Sequence, residues 1–423
     1  MQVDFGEAVR TWFKIGCLGF GGPAGQIALM HRIIVDEKKW VEESRYLHAL
    51  NFCMLLPGPE AQKLATYVGW LLHGVRGGLT AGILFVLPGA LVMLAISLLY
   101  VLGRGIPVVD GALFGIKAAV LVIVLEALIR IGKRALKSRT LVGIAAAAFV
   151  GIFFFDVPFP IIVLAAAGIG YFMAQPRIAS TGAMPGRWRQ AATAAVVGLV
   201  LWWTPVLLAV LWLGADHVFT DIGIFFSKLA VVSFGGAYAL LAYMAQQAVE
   251  TYGWMSAAEM VDGLGFAETL PGPLIKVTQF VGFLGAWRNA DPLSPVSAGV
   301  LGSALTTWVT FVPPMLLIFA LAPFVEQLRS NQRLSGALAA ITAAVVGVIL
   351  NLTIWFVLHV LFANVTEMRA GPLRWYAFDP LAIDLKVSVL AIVAAVLAFV
   401  FHRGLVQLVA IMAALGIAVR FAL

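Results

Sequence analysis

The chain has 423 residues, of which 62% are hydrophobic and 12% charged, and its mean hydropathy is +0.98. A soluble domain of this length could not hide so much apolar surface, so the chain belongs in a bilayer. The net charge of +7 comes from basic residues at the ends of apolar segments, where they act as topology signals and contacts to anionic membrane lipid; no nucleic-acid-binding motif accompanies them.

The start, Met1 to Glu7, is acidic and lacks the basic region and cleavage site of a signal peptide, so the first apolar segment is expected to be retained. Runs long enough to cross a bilayer predict segments over 10–31, 46–73, 79–102, 109–131, 141–155 and 158–174, the last two a short hairpin split at Asp156-Val157-Pro158. Further segments follow over 191–213, 223–247, 259–287, 296–323, 334–362, 384–401 and 404–421. The predicted organisation is an N-terminal repeat over 1–175, a polar linker over 176–190, an extra transmembrane helix over 191–215 and a C-terminal repeat over 216–423.

The repeat is visible residue by residue. Phe20-Gly21-Gly22 returns as Phe234-Gly235-Gly236 and Leu56-Pro57-Gly58-Pro59 as Leu270-Pro271-Gly272-Pro273, all at an offset of 214. Lys14, Met30, Trp40 and Phe52 match Lys228, Met244, Trp254 and Phe266 in the same register. The predicted fold class is an all-α polytopic membrane protein of two homologous halves, with Pro- and Gly-broken helices meeting near the membrane midplane. Seven crossings between the repeat starts, an odd number, predict inverted repeats; a re-entrant segment at 46–73 would change the parity. The basic group Arg130, Lys133, Arg134, Lys137 and Arg139, with Arg177, Arg187 and Arg189, places that side and the N-terminus in the cytoplasm by the positive-inside rule. Arg32, Lys38, Lys39 and Arg45, accompanied by acids, vote the other way.

Broken helices create chemistry. Pro57 ends a helix, Gly58 tolerates a cap conformation, and Pro59 suits the first position of a new helix. The amides of Glu60, Ala61 and Gln62, and of Leu274, Ile275 and Lys276 after Pro273, are then expected to face the break with the positive end of a helix dipole behind them. Such a pair of ends makes an anion site, reinforced by Lys63 and Lys276. Gly21-Gly22-Pro23 and Gly235-Gly236 form the other wall, with Gln26 and Tyr238 close by as neutral donors. Glu268 and Thr269 precede the second break. Glu60 and Glu268, which are not equivalent positions, are candidate proton carriers, although Glu60 also suits a helix start.

Other features have plainer readings. The Gly pairs also suit close helix packing, and Lys14 and Lys228 suit snorkelling to the interface. Asp36 to Trp40 and Val249 to Trp254 read as interfacial anchors, with a gate at the pathway mouth as the alternative. Glu126 and Arg130 form an i, i+4 pair, whereas the role of Lys117 on the same segment is open. Cys17 and Cys53 read as packed thiols, and the six histidines show no metal spacing. No metal, cofactor or catalytic residue is expected.

Phe20-Gly21-Gly22-Pro23, Leu47 to Gln62, Gly69 to Gly74, Ala245 to Glu250, Ala267 to Ile275 and Gln279 to Phe283 together resemble the chromate ion transporter family in its long-chain, two-domain form. The resemblance implies a multi-pass inner-membrane carrier that exports chromate and confers chromate resistance, with sulfate as a competing dianion and coupling to protons or the membrane potential. An apolar residue is usual in that family at the position of Lys276. Two other readings stay open: a transporter of sulfate or another oxyanion, and, more distantly, a membrane-embedded enzyme acting on a lipid phosphate, for which only Asp379 and Asp384 stand near a loop. A homodimer is compatible with either transport reading.

Overall fold

The computed structural model describes residues 3–20, 22–103, 105–174, 188–234, 237–324, 331–362 and 364–422. The chain is helical almost throughout, as expected for a backbone that must satisfy its own hydrogen bonds in lipid. It forms two compact units, each assembled from both halves of the sequence. The first comprises Met1–Ala95, Tyr171–Ala237 and Leu270–Leu338, and the second Ile96–Gly170, Tyr238–Thr269 and Ala339–Leu423. The repeats are thus divisions of sequence, and the compact units are divisions of space.

Each segment expected to carry a repeated motif is two helices with a gap. The predicted 10–31 is α1, Phe5–Leu18, followed by α2, Gly22–His31. The predicted 46–73 is α3, Glu43–Met54, followed by the start of α4, Glu60–Gly103. α4 continues through the predicted 79–102 but is two helices joined at a kink, where His73 and Gly74 depart from helical geometry, so the predicted boundary between 73 and 79 falls at the kink. α1 begins where the Asp4 carboxylate accepts from the Glu7 amide at 2.9 Å, and it buries the stripe Ala8, Thr11, Trp12, Ile15 and Gly16. Its 14 residues rise about 21 Å at 1.5 Å each, too short alone for a ~30 Å hydrocarbon core.

The intervening apolar runs are continuous: α5 Pro107–Ala135, α6 Arg139–Phe155, α7 Phe159–Met173 and α8 Trp188–Leu213. The second repeat is broken in the same way. α9, Val218–Val231, precedes α10, Ala237–Gln246, and α11, Ala257–Thr269, precedes a 3₁₀ turn at Leu274–Lys276 and α12, Val277–Arg288. α13, Pro295–Leu321, and α14, Gln332–Leu361, follow. The chain ends with α15, Leu385–Ala395, and α16, Leu405–Ala422.

Among the described residues six helices are long and apolar enough to cross a membrane: α4, α5, α8, α13, α14 and α16. Leu211 and Trp212 on α8, and Leu164 and Phe172 on the shorter apolar α7, lie largely exposed, an arrangement that lipid makes favourable. The protein is an all-α polytopic membrane protein, with one local exception among the described residues. Val365–Ala370 and Leu373–Phe378 form a two-stranded antiparallel hairpin, β1 and β2, turning at Gly371, which the hydropathy pattern did not anticipate.

Small residues set the closest helix approaches. In the first unit α12 lies against α13, where a methyl added to Gly282 would sit 1.9 Å from Thr306 Oγ1. In the second unit α5 lies against α16, where a methyl on Gly115 would sit 1.8 Å from the Met412 carbonyl. Such close backbone contact is how helices associate when lipid removes the hydrophobic drive between them.

A π-helical turn follows the glycine break in both repeats, at Arg32–Glu37 and Gln247–Thr251. Lys38 and Trp40 donate to Ile33 and Ile34; at the same offset, Tyr252 and Trp254 donate to Gln247 and Ala248. The mixed-charge segments ahead of each Trp are therefore ordered widened turns.

Candidate functional site

All four breaks belong to the first compact unit: those between α1 and α2 and between α9 and α10, and the two Pro-Gly-Pro turns. Gly21, Gly235 and Gly236 lie outside the described residues, as does the side chain of Tyr238. The flanking backbone closes identically in both repeats, Phe20 N–H donating to Leu18 and Phe234 N–H to Val232, each at 2.9 Å.

The repeats then exchange hydrogen bonds. The Gly58 amide donates to the Ser233 carbonyl at 2.9 Å, and the Gly272 amide donates to the Gly19 carbonyl at 2.9 Å. Donors and acceptors are both separated by 214 positions, which is the signature of a local two-fold relation between the halves. Gly58 and Gly272 adopt φ of +102° and +93°, a region that glycine alone enters freely. Gln26, 1% exposed, fastens the same junction by donating to Gly19 O at 3.2 Å and Gly272 O at 2.7 Å.

These turns aim helix N-termini at the junction. After Pro59 the first backbone bond of α4 runs from Lys63 to Pro59 at 3.0 Å, so the amides of Glu60, Ala61 and Gln62 precede the helical ladder. The second copy differs from expectation. Its start is 3₁₀, with the Lys276 amide bonded to Pro273 at 3.0 Å, which leaves Leu274 and Ile275 as the leading amides. The two ends also differ in access: Pro57 to Glu60 are half-buried, whereas Pro271 to Lys276 are buried.

The lysines take an unanticipated position. Lys63 and Lys276 are each 1% exposed. Lys63 Nζ donates to the Leu56 carbonyl, and Lys276 Nζ donates to the equivalent Leu270 carbonyl at 2.8 Å and to Gly272 O at 3.1 Å. They cap the chain entering each break while leaving positive charge beside the amides. Gln62, fully buried, donates to Phe311 O of α13 at 2.9 Å. Gly58 packs on Pro314 of that helix, where an added methyl would approach Pro314 Cγ to 2.4 Å.

Other residues of the junction were not read from the sequence. Gln279 donates to Ala90 O and to Ser303 Oγ, both at 2.8 Å. Gln62 and Gln279 keep their Oε1 atoms buried without a protein donor among the described residues, as polar side chains beside a hydrated or ligand-holding interior do. The only available sign was the presence of polar residues in apolar segments. Glu268, 5% exposed, and Thr269, whose hydroxyl turns back to Gly265 and Phe266 of its own helix, belong to the second unit. Glu60 is half-buried at the first position of α4, where a carboxylate complements the helix dipole. Gly22, with φ of +67°, and Pro23 start α2.

Among the described residues one trio offers clustered metal-type ligands: His31, Asp36 and Glu43. The two ring nitrogens of His31 face different carboxylates, Asp36 at 3.4 Å and Glu43 at 2.5 Å, with both carboxylates on an accessible surface.

A family model described as chromate transporter matches residues 6–171 and again 220–419, so each half carries the family pattern. A chromate transport protein of Pseudomonas aeruginosa is 31% identical over 355 residues, 82% of this chain and 80% of the relative. A probable chromate transport protein of Synechococcus elongatus is 26% identical over 81% of this chain and 82% of its own. A chromate transport protein of Cupriavidus metallidurans is 26% identical over 81% and 80%. No solved structure matches the chain. The duplicated family pattern and these relatives, matched over about four fifths of each chain, place the chain in the chromate transporter family, among transporters and not enzymes.

Proposed function

We propose that this protein is a secondary transporter that exports chromate across the inner membrane and thereby confers chromate resistance. The observation that carries the reading is the exchanged pair of hydrogen bonds, Gly58 to Ser233 and Gly272 to Gly19. It holds two anion-favouring helix starts at one junction within a single compact unit. Helix-terminal amides bind a tetrahedral dianion without a full counter-charge, and Lys63 and Lys276 add positive potential without contacting the ligand directly. Gly22, Pro23, Gln26, Gly58, Pro59, Glu60, Gln62, Gly272 and Pro273, all of the same unit, complete the proposed surroundings.

Export of a dianion from a negative-inside cell is downhill by roughly 2.3 kcal/mol per charge per 100 mV, so the membrane potential suffices as a driving force. The repeats are inverted in this proposal, with the N-terminus cytoplasmic, and the two halves rock about the junction.

Uptake of labelled chromate into inside-out vesicles tests the proposal. Saturable uptake that responds to membrane potential supports it, and uptake no greater than in empty vesicles overturns it. Helix N-termini read charge and shape more than the central atom, which favours sulfate as a second substrate or competitor. Labelled sulfate run in parallel separates a chromate carrier from a general oxyanion carrier.

A further inference from the structure

The second compact unit contains a charged cavity unrelated to the repeated motifs. It has a volume of about 620 Å³ and is lined by Asp110, Leu113, Phe114 and Lys117 of α5, Asp262 of α11, Asp384 and Lys386 at the start of α15, and Val419 and Arg420 of α16. The charges balance, three carboxylates against three cations. One of them differs in setting. Asp262 is 0% exposed, accepts from the Tyr100 hydroxyl at 2.9 Å, and faces Lys117 Nζ at 3.9 Å. Lys117 remains about a quarter exposed.

We propose that Asp262 is a proton-binding site that couples proton movement to transport. An ionisable side chain buried in a membrane segment is expensive, and where it meets a cavity it marks an ion or proton path. The Asp262 carboxylate takes a proton from water in the cavity and becomes a carboxylic acid; on release the proton returns to water, and no other bond changes. In the ionised state Asp262 balances Lys117. In the protonated state the cavity carries one net positive charge, and Lys117 is free to move. The titratable groups facing Asp262 are Lys117 and Asp110 from α5, Tyr100 from α4, Asp384 and Lys386 from α15, and Arg420 from α16. On its own helix, Glu259 caps the N-terminus through Ser256, and Glu268 is buried near the far end.

The proton role rests on the transport reading above, but its first test does not. Infrared difference spectra of the purified protein across a pH titration should contain a protonated-carboxyl band that is lost in Asp262→Asn and shifted, still present, in Asp262→Glu. The double variant Lys117→Met with Asp262→Asn, which keeps the cavity neutral, should lack the band as well. In chromate-loaded vesicle assays, one proton per cycle makes a gradient of one pH unit shift the accumulation ratio about tenfold. That response should disappear in Asp262→Asn and return in Asp262→Glu. A band and a gradient response that both survive in Asp262→Asn overturn the proposal, as does a wild-type protein with neither. A wild-type band lost in Asp262→Asn without any chromate transport supports the proton site and refutes the chromate reading alone.

Discussion

Lys63 and Lys276 stand one position out of register between the repeats, yet their ammonium groups cap the same carbonyl, that of Leu56 in one copy and Leu270 in the other. Equivalent backbone needs have been met from neighbouring positions, since either of two adjacent residues at a helix start can reach back across a Pro-Gly-Pro turn. At the position of Lys276, the first repeat has Gln62, which turns instead to α13.

Removing either ammonium should therefore loosen the break. Lys63→Ala and Lys276→Ala are each expected to lower stability by about 1.5–3 kcal/mol, the usual worth of a hydrogen bond from a charged group. Thermal unfolding in detergent measures this. Equal melting temperatures in wild type and both variants would mean that the caps carry no weight.

The two motif glycines should differ in tolerance. Gly272→Ala meets only the backbone strain of φ +93°, since its new methyl has 3.6 Å to Gly89. Gly58→Ala meets comparable strain and a 2.4 Å approach to Pro314. Chromate uptake per folded molecule is expected to fall further in Gly58→Ala, and the reverse order would contradict the packing described.

Arg374, 2% exposed, ties β2 to the end of α6 through Ile152 O at 2.7 Å and Phe153 O at 3.3 Å, and it pairs with Asp156 at 2.9 Å. Glu250 and Glu367 stand at 3.8 Å from the same guanidinium. Arg374→Met takes this cation from Glu250, while Asp156 and Glu367 keep Arg369 at 2.8 and 2.5 Å, and the expected cost is about 1.5–3 kcal/mol for each charged hydrogen bond lost. Protease sensitivity within 364–379 should rise with it.

Burial raises the Glu250 carboxyl above the ordinary glutamate range, with Arg374 acting in the opposite sense. A raised folded value means that the native state holds its proton to higher pH than the unfolded chain does. The contribution of Glu250 to stability is thus greatest at low pH and declines as pH rises through the window between the two values. Glu250→Gln is expected to remove this part of the pH dependence, read from melting temperatures across that window. An unchanged profile would assign the dependence to other groups.

Hydropathy and one offset made most of the helices legible, because a bilayer demands long apolar runs and duplication marks its own register. Gly58, Gly272 and Gln26 could be singled out from glycine and proline positions alone. Their partners could not: Ser233 and Gly19 contribute backbone carbonyls, which carry no side-chain signature. Lys117 and Asp262 are separated by 145 positions, and the former appeared only as a lysine without an explanation. The hairpin of β1 and β2 escaped because its strands are short, half polar and pinned by a single buried arginine.

The exchange between Gly58 and Ser233, and between Gly272 and Gly19, bears on how such a chain can be divided. Either half expressed alone presents a turn amide and a turn carbonyl whose partners lie on the missing piece, together with helix faces that have nothing to pack against. A second copy of the same half could supply both, as could the other half provided in trans. The covalent link through 176–190 therefore fixes which halves meet, and a chain cut there should reassemble when both fragments are made together.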